Sequence, residues 1–289
     1  MPSSRERARK RAREHYQRQQ RARQERMRKL RRRLLAGTII VLVAGLAVGL
    51  SLTFVGGSSS KASSKAKASA SATPSATSTA AAVTEPAHHC TYTSEASSDN
   101  VVKASLPPAT PDWNTAYTAT ISTNRGPIVI NLANSKATCT VNSFVHLAEA
   151  KFWDNTQCHR VSDSQGLYML QCGDPTAKAT KKLSCSGSNE AGGGGPGYSF
   201  DDENLKGATY PAGTIAMANS GANTNGSQFF LVFQNTSLSA AYTPFGTITS
   251  GLDILQNVAK AGTSCTYSGA GGGVPKDKVV INSVSIKKA

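Results

Sequence analysis

The sequence lacks the motifs on which most bond-making enzymes depend. It contains no Cys-x-x-Cys, and no nucleophile–base pair or carboxylate dyad stands out. The glycine run at 192–197 is not followed by Lys-Ser or Lys-Thr, so it predicts a flexible loop and not a phosphate-binding site. These absences argue against covalent catalysis and phosphoryl transfer.

Positive charge is sparse outside the first 33 residues. Residues 1–33 hold fifteen Lys and Arg against three Glu, which is +12 of the formal net charge of +15. The basic composition therefore describes a tail, and a nucleic-acid-binding domain is not implied. Residues 5–33 contain no Gly or Pro, and we expect a basic helix held against anionic membrane lipids. A nucleic-acid-binding tail is the alternative.

Charge is absent from residues 34–55, a run of 22 mostly apolar residues. As a helix this run would extend roughly 33 Å, which matches a hydrocarbon core of ~30 Å. Basic residues flank it only on the N-terminal side, so we expect a single transmembrane helix in the cell membrane, with a cytoplasmic N-terminus and an extracytoplasmic remainder. A cleaved signal peptide is the alternative, but residues 54–57 make a poor cleavage site.

Large apolar residues are scarce in 56–115, which is rich in Ser, Ala, Thr and Pro. This composition predicts a flexible linker, with an end-to-end distance of roughly 45 Å. We therefore place the folded domain at 116–289. All six cysteines lie beyond residue 89, and an even number on an exported segment predicts disulfides rather than metal ligands. His88-His89-Cys90 lies in a Thr-, Ser- and Pro-rich segment, so we predict no metal site there.

Short apolar runs dominate the domain and predict an all-β fold class. A first helix is expected from Val141 to Phe152, with Thr138 or Thr140 as N-cap, and a second at 252–260. Strands are predicted at 117–123, 128–132, 158–161, 166–171, 213–218, 228–233, 245–248 and 279–286. Many short strands with two helices indicate a closed antiparallel barrel whose openings the helices cover.

Two segments carry the candidate chemistry. Residues 219–228 form an uncharged, Asn-rich loop between predicted strands, longer than the two to five residues of ordinary hairpins. Such a loop favours the presentation of amides to a ligand; an unusual surface turn is the alternative. A predicted hairpin brings Arg160 and Gln171 together beside Tyr168 and Met169, an apolar pocket with a fixed donor fork. An arginine that merely covers the barrel rim is the other interpretation.

These segments resemble the cyclophilin family of peptidyl-prolyl cis-trans isomerases. The resemblance rests on His159-Arg160, on Met-x-Gln-x-Gly-Asp at 169–174 and on residues 217–230, and it covers about 116–289. Residues 140–144 and 195–200 are similar to bacterial members. The family implies a closed eight-stranded antiparallel barrel capped by two helices, with a proline pocket on its outer face.

The resemblance also implies a role for individual residues. Arg160 would be the catalytic group. The proline pocket would be lined by Tyr168, Met169, Phe230 and Leu238 and closed by Tyr242. The substrate backbone would be held by Gln171, Ala218, Asn219 and Gln228.

The implied activity needs no cofactor or metal, because rotation about an X–Pro bond makes and breaks no bond. Its barrier of ~18–20 kcal/mol comes from peptide resonance. A guanidinium that donates to the prolyl nitrogen would favour the twisted state. The expected partners are proline-containing exported polypeptides, and the protein is expected to act as a monomer. A non-catalytic module that binds proline peptides as a chaperone is the alternative.

The sequence departs from the family pattern at two pocket positions, where Ser237 replaces a Trp and Tyr242 a His. With these two replacements, the sequence does not determine whether the protein binds cyclosporin. Because Cys158 and Cys172 flank the Arg160/Gln171 hairpin, we predict that they form a disulfide. Three pairings remain open for the other four cysteines, with Cys90–Cys139 and Cys185–Cys265 favoured.

Overall fold

The computed structural model describes the C-terminal two thirds of the chain, namely residues 89–96, 100–164, 166–187, 190–267 and 271–288. The basic segment at 1–33, the membrane span predicted at 34–55 and the linker up to residue 88 lie outside the described residues. Within the described ranges, neither helix is both long enough and apolar enough to cross a bilayer.

The described residues form a β-rich domain with two helices, as predicted. In chain order the elements are β1 (Tyr92–Ser94), β2 (Tyr117–Thr123), β3 (Gly126–Leu132), α1 (Thr138–Glu149), β4 (Thr156–Gln157), β5 (Arg160–Ser164), β6 (Leu167–Cys172), β7 (Tyr198–Phe200), β8 (Thr214–Met217), β9 (Phe229–Val232), β10 (Pro244–Ser250), α2 (Leu252–Ala261), β11 (Thr263–Thr266), β12 (Gly273–Pro275) and β13 (Val280–Lys288).

Eleven of these strands share one antiparallel sheet, in the order β11-β12-β5-β6-β9-β8-β10-β3-β2-β13-β4. Strand β1 pairs with β7 in a separate two-stranded sheet. Each of the eight predicted strands has a counterpart in the large sheet. The closure of these strands into a barrel stays a prediction.

The strand β9 is buried on both faces of the sheet. Phe229 and Leu231 belong to the main core, which also contains Phe144 and the other residues of the first apolar cluster. Phe230 and Val232 point to a second, smaller cluster, made with Met169, Tyr210 and Ala216. Because successive side chains of a strand point to opposite faces, an uninterrupted apolar run is required here. The second cluster forms the floor of the site described below.

Helix α1 begins without the side-chain N-cap that the sequence predicts. Its N-cap is Ala137, which makes no capping hydrogen bond, and the Thr138 hydroxyl donates to an upstream carbonyl. The carboxylate of Glu203 instead accepts from the N–H of Cys139 at 3.0 Å and from the N–H of Thr140 at 2.7 Å. The predicted cap at Thr138 or Thr140 is therefore wrong, because a distant loop satisfies the first turn.

Residues 89–96 and 100–115, predicted as part of the flexible linker, pack onto the domain and are called the strap. The strap contains β1, and the Cys90–Cys139 disulfide ties it to α1. Further along, the N–H of Val102 donates to the carbonyl of Gly195 at 3.1 Å. The linker prediction is therefore wrong over these residues. Their polar composition forms no core of its own, and a disulfide and main-chain hydrogen bonds hold the strap instead.

The structure contains three disulfides. The predicted Cys158–Cys172 bond is present. The other two are the favoured pairs, Cys90–Cys139 and Cys185–Cys265. The Cys158–Cys172 bond joins the start of the β5–β6 hairpin to its end, next to the pair of Arg160 and Gln171. It therefore holds together the two strands that carry these side chains.

Candidate active site

A cavity of about 250 Å³ lies over the second apolar cluster. It combines an apolar floor with a few polar groups, as ligand sites usually do. Its lining consists of Arg160, Leu167, Met169, Gln171, Ala218, Asn219, Phe230, Leu238 and Tyr242. The structure thus brings together eight of the ten residues that the sequence assigns to catalysis and substrate binding. Tyr168 and Gln228 lie elsewhere.

The β5–β6 hairpin positions the polar end of this cavity. Its register sets Arg160 directly opposite Gln171. Alternation along β6 then directs Leu167, Met169 and Gln171 into the cavity. Tyr168 lies on the opposite face, where it packs against the main core with its ring 6.3 Å from that of Phe233. The prediction that Tyr168 lines the pocket is wrong; Leu167 takes that place, and the period of two along the strand was the signal for it.

Hydrogen bonds fix the Arg160 guanidinium at the cavity. Its Nε donates to the carbonyl of Gly271 at 2.9 Å, and one terminal nitrogen donates to Oε1 of Gln171 at 3.2 Å. Partial burial lowers the pKa of Arg160, and nearby Tyr242 and Tyr267 act in the opposite direction. An arginine remains charged at neutral pH even so. The cavity therefore holds an oriented cation beside apolar walls.

Gln228 contacts Gln171 and orients it toward Arg160. It lines a second cavity of about 340 Å³ rather than the first. Its Oε1 accepts from Nε2 of Gln171 at 3.0 Å. Its own Nε2 donates to the carbonyls of Gly192 at 3.1 Å and Gly194 at 2.8 Å. Both amide hydrogens are thereby used within the protein. The predicted contact of the Gln228 side chain with the substrate backbone is replaced by a positioning role.

The side chain of Asn219 also bonds within the protein. Its Nδ2 donates to the carbonyl of Ala241 at 2.8 Å, and its Oδ1 accepts from the N–H of Gly221 at 3.3 Å. The first bond links the Asn-rich loop to the segment 238–242, which carries Leu238 and Tyr242. The side-chain amide is thereby held at one end of the cavity.

Tyr210 supports the same segment and was not predicted. Its hydroxyl donates to the carbonyl of Tyr242 at 2.8 Å and accepts from the N–H of Tyr242 at 3.1 Å. Its ring lies 6.2 Å from that of Phe230, in the floor of the cavity. A tyrosine in a polar connection gives no periodic signal, so sequence patterns do not single it out.

Glycine is required at position 173, in the motif that follows Gln171. Gly173 has φ of +91°, and an added Cβ would lie 2.3 Å from the carbonyl oxygen of Ser227. The Ser227 hydroxyl donates to the carbonyl of Gly173 at 2.8 Å. The end of β6 and the start of β9 can approach this closely only without a side chain. This approach allows Gln171 and Gln228 to meet.

His159 lies behind Arg160 in the interior. The residue is 1% exposed, and neither ring nitrogen has a hydrogen-bond partner within the described ranges. Burial lowers its pKa to about 4, although the charge of Asp174 acts in the opposite direction. Burial alone would raise the pKa of the Asp174 carboxyl. The hydrogen bonds that it accepts from Gly192 and Thr176 outweigh this effect, so the pKa is lowered. His159 is therefore a neutral ring at physiological pH.

The low pKa of His159 predicts a loss of stability in acid. The ring binds a proton more weakly in the folded state, at about 4, than in the unfolded chain, at about 6.5. Its contribution is complete above pH 6.5 and is lost as the pH falls to 4, by an amount on the order of 2–3 kcal/mol. We expect His159→Phe to flatten the pH dependence of the free energy of unfolding in this window, measured by urea denaturation.

The exposed His89 supplies the control for this measurement. His89→Asn should leave the pH dependence of unfolding as it is in the wild type, because this side chain is exposed in the folded state. Identical slopes between pH 7 and pH 4 for the wild type and His159→Phe would contradict the assignment of a neutral, buried imidazole.

Comparisons with known proteins agree with the geometry of the site. Residues 118–286 match the family model described as cyclophilin type peptidyl-prolyl cis-trans isomerase/CLD. A probable peptidyl-prolyl cis-trans isomerase B of Mycobacterium leprae is 40% identical over 214 residues, which cover 68% of this chain and 66% of that protein. The protein of the same description from Mycobacterium tuberculosis H37Rv is 40% identical over 212 residues, which cover 68% and 63%.

The chain thus spans slightly less than two thirds of the length of these mycobacterial relatives. It covers more of a shorter relative, the peptidyl-prolyl cis-trans isomerase-like 1 protein of Emericella nidulans. That protein is 34% identical over 151 residues, which are 52% of this chain and 85% of the relative. Since the family match extends over more than half of the 289 residues, the chain belongs to the cyclophilin-type peptidyl-prolyl cis-trans isomerase family.

Proposed function

We propose that this protein is a peptidyl-prolyl cis-trans isomerase that accelerates X–Pro rotation in exported proteins. One observation carries the proposal: the oriented Arg160 guanidinium borders an apolar cavity of about 250 Å³. A proline ring is apolar, and the amide nitrogen that it bears becomes a hydrogen-bond acceptor when the peptide bond twists. A cavity with one apolar floor and one cation at its edge complements both features.

The floor of the cavity holds the proline ring. Met169 is 3% exposed and Phe230 is 4% exposed, so the surface beneath a bound ring is already assembled. The rings of Phe230 and Tyr242 pack edge to face, with their centroids 5.6 Å apart, so the tyrosine ring forms a side wall of the cavity. Leu238 completes the lining. A preformed site of this kind requires little ordering when the substrate binds.

The polar groups act on the peptide bond itself. Resonance makes the bond planar, and the twisted state has a localised lone pair on the prolyl nitrogen. We assign to Arg160 a hydrogen bond to that nitrogen, which is stronger in the twisted state than in either planar isomer. Because the Asn219 side chain is bonded to Ala241, we assign the substrate backbone to the main chain of Ala218 and Asn219. Interactions made more strongly in the transition state are the ones that raise the rate.

The ionisable groups of the cavity agree with a reaction without proton transfer. Among the described residues that line it, Arg160 and Tyr242 are the ionisable ones, and neither a carboxylate nor an imidazole is present. Bond rotation needs no general acid or base. We therefore expect turnover to require no cofactor and to vary little with pH near neutrality.

We further propose that the closed barrel is carried on a membrane tether. The uncharged run at 34–55 supports a single transmembrane helix, with the basic segment 1–33 on the cytoplasmic side against anionic lipids. Three disulfides support an extracytoplasmic domain, because such bonds persist in oxidising compartments. The clients would then be newly exported polypeptides, met by one monomeric domain.

The catalytic assignment predicts the behaviour of Arg160 variants. We expect Arg160→Ala to lower kcat/KM on an X-Pro peptide by about 100-fold or more, the usual effect of removing a donor to the transition state. Arg160→Lys should restore little, because an ammonium group cannot reproduce both of the hydrogen bonds that orient the guanidinium. NMR exchange spectroscopy of the peptide measures the rate.

A matched control is available in Arg125, an exposed arginine of the β2–β3 turn paired with Asp277 at 3.4 Å. Arg125→Ala should retain the wild-type rate. Equal rates for the wild type and Arg160→Ala would contradict the catalytic role of Arg160. Peptide binding by the wild type without turnover would indicate a non-catalytic binding module.

The tether predicts how the full chain fractionates. We expect the wild type to remain in membranes after carbonate extraction and its domain to be digested by protease added from the outside. Two arginines placed in the span, Leu42→Arg with Leu46→Arg, should release the protein, because each costs ~2.5–3.5 kcal/mol at the bilayer centre. The double change of the same leucines to Ile serves as the control. A wild-type chain that is extracted by carbonate would contradict the tether.

A further inference from the structure

A second cavity, of about 340 Å³, adjoins the proline cavity. Gln171, Ala218 and Asn219 line both cavities, so a peptide that binds in the first has its neighbouring residues at the second. The far side is built from the glycine-rich loop 192–197 and from two residues of the strap, Glu95 and Val101. The strap thus reaches the substrate side of the domain.

We propose that Glu95 makes this second cavity a recognition site for a cationic side chain, Lys or Arg, that flanks the prolyl bond. The inference rests on the proposed function for the presence of a proline peptide in the first cavity. It adds a specificity-determining residue that lies outside the family match, which begins at residue 118.

The strap is fixed where it meets the glycine-rich loop. The N–H of Glu95 donates to the carbonyl of Gly197 at 2.8 Å. Val101 forms a parallel bridge with Gly195, whose own N–H donates to the carbonyl of Asn100 at 3.2 Å. Glu95 and the pair Asn100–Val101 are therefore both bonded to the glycine-rich loop, which shares this side of the cavity. The position of Glu95 follows from these main-chain bonds.

Glu95 gives the cavity its sign of charge. Among the described residues of the lining it is the one carboxylate, and no Lys, Arg or His is present there. Tyr198 is the other ionisable group, and burial raises its pKa to about 12, so its hydroxyl stays neutral. The remaining lining is glycine, small polar side chains and amides. A cationic side chain therefore meets an attractive charge without a competing one in the wall.

The size of the effect follows from the exposure of Glu95. This side chain is exposed, and exposed ion pairs change an equilibrium by about two- to fivefold. Such an interaction weakens as salt rises, because the Debye length falls from ~30 Å at 0.01 M to ~8 Å at 0.15 M. The selectivity should therefore be largest at low ionic strength.

The test uses the full chain and sets of proline peptides that differ at one position, one to three residues from the proline on either side. Each position carries Lys, Gln or Glu. We measure the Kd by NMR titration and the isomerisation rate by NMR exchange. At low salt the wild type should bind the Lys peptide about two- to fivefold more tightly than the Glu peptide at one of these positions. Glu95→Gln should bring this ratio of Kd values close to one, and Glu95→Lys should make the Glu peptide the tighter ligand.

Glu149→Gln is the matched control, since this exposed carboxylate lies on α1 and lines neither cavity. It should keep the wild-type ratio. A ratio near one in the wild type, or a ratio unchanged in Glu95→Gln, overturns the inference about Glu95. Turnover of the Gln peptides in the same experiment would still support the proposed isomerase activity. A Lys preference that depends on Glu95 without turnover supports the inference and removes the catalytic proposal. Failure to bind any of the peptides overturns both.

Discussion

The site depends on a network of side-chain hydrogen bonds, which runs from the carbonyls of Gly192 and Gly194 through Gln228 and Gln171 to Arg160. A free arginine side chain carries about 2 kcal/mol of rotamer entropy, which would oppose any fixed contact with a substrate. The network and the Gly271 carbonyl remove that freedom before a peptide arrives. The charge that we propose to act on the twisted peptide bond is thereby preorganised.

The fold supplies both ends of this network. A central strand with two buried faces separates the main core from the floor of the cavity, so the floor rests directly on the core. The Cys158–Cys172 disulfide holds the hairpin that carries Arg160 and Gln171. At the other end, the strap holds the glycine-rich loop through Val101 and Gly195. Residues outside the family match thus support the residues inside it.

The sequence predicted the parts that depend on periodicity and on residue type. Eight strands and both helices were recognisable because apolar periodicity is a local signal. The eight cavity residues were assigned through the resemblance of the polar motifs to the cyclophilin family. The short strands β1, β4, β7, β11 and β12 were not predicted, because their two to four residues hold no run of large apolar side chains such as marks the equally short β8 and β9. The capping of α1 by Glu203 depends on a tertiary contact, which a local pattern does not contain. The face of Tyr168 was available from the alternation along β6, but the resemblance to the family placed this residue in the pocket. The strap was missed because a disulfide and main-chain hydrogen bonds hold it.

The most direct test of the network is the isomerisation rate of a saturating X-Pro peptide with Gln228→Met, measured by NMR exchange. Methionine keeps the volume of Gln228 but removes its donors and its acceptor. Because Gln171 would lose the bond that orients its amide toward the guanidinium, the rate should fall about tenfold while the affinity for the peptide stays close to that of the wild type. Gln256→Met, on α2, is the matched control. A rate equal to that of the wild type would contradict the account.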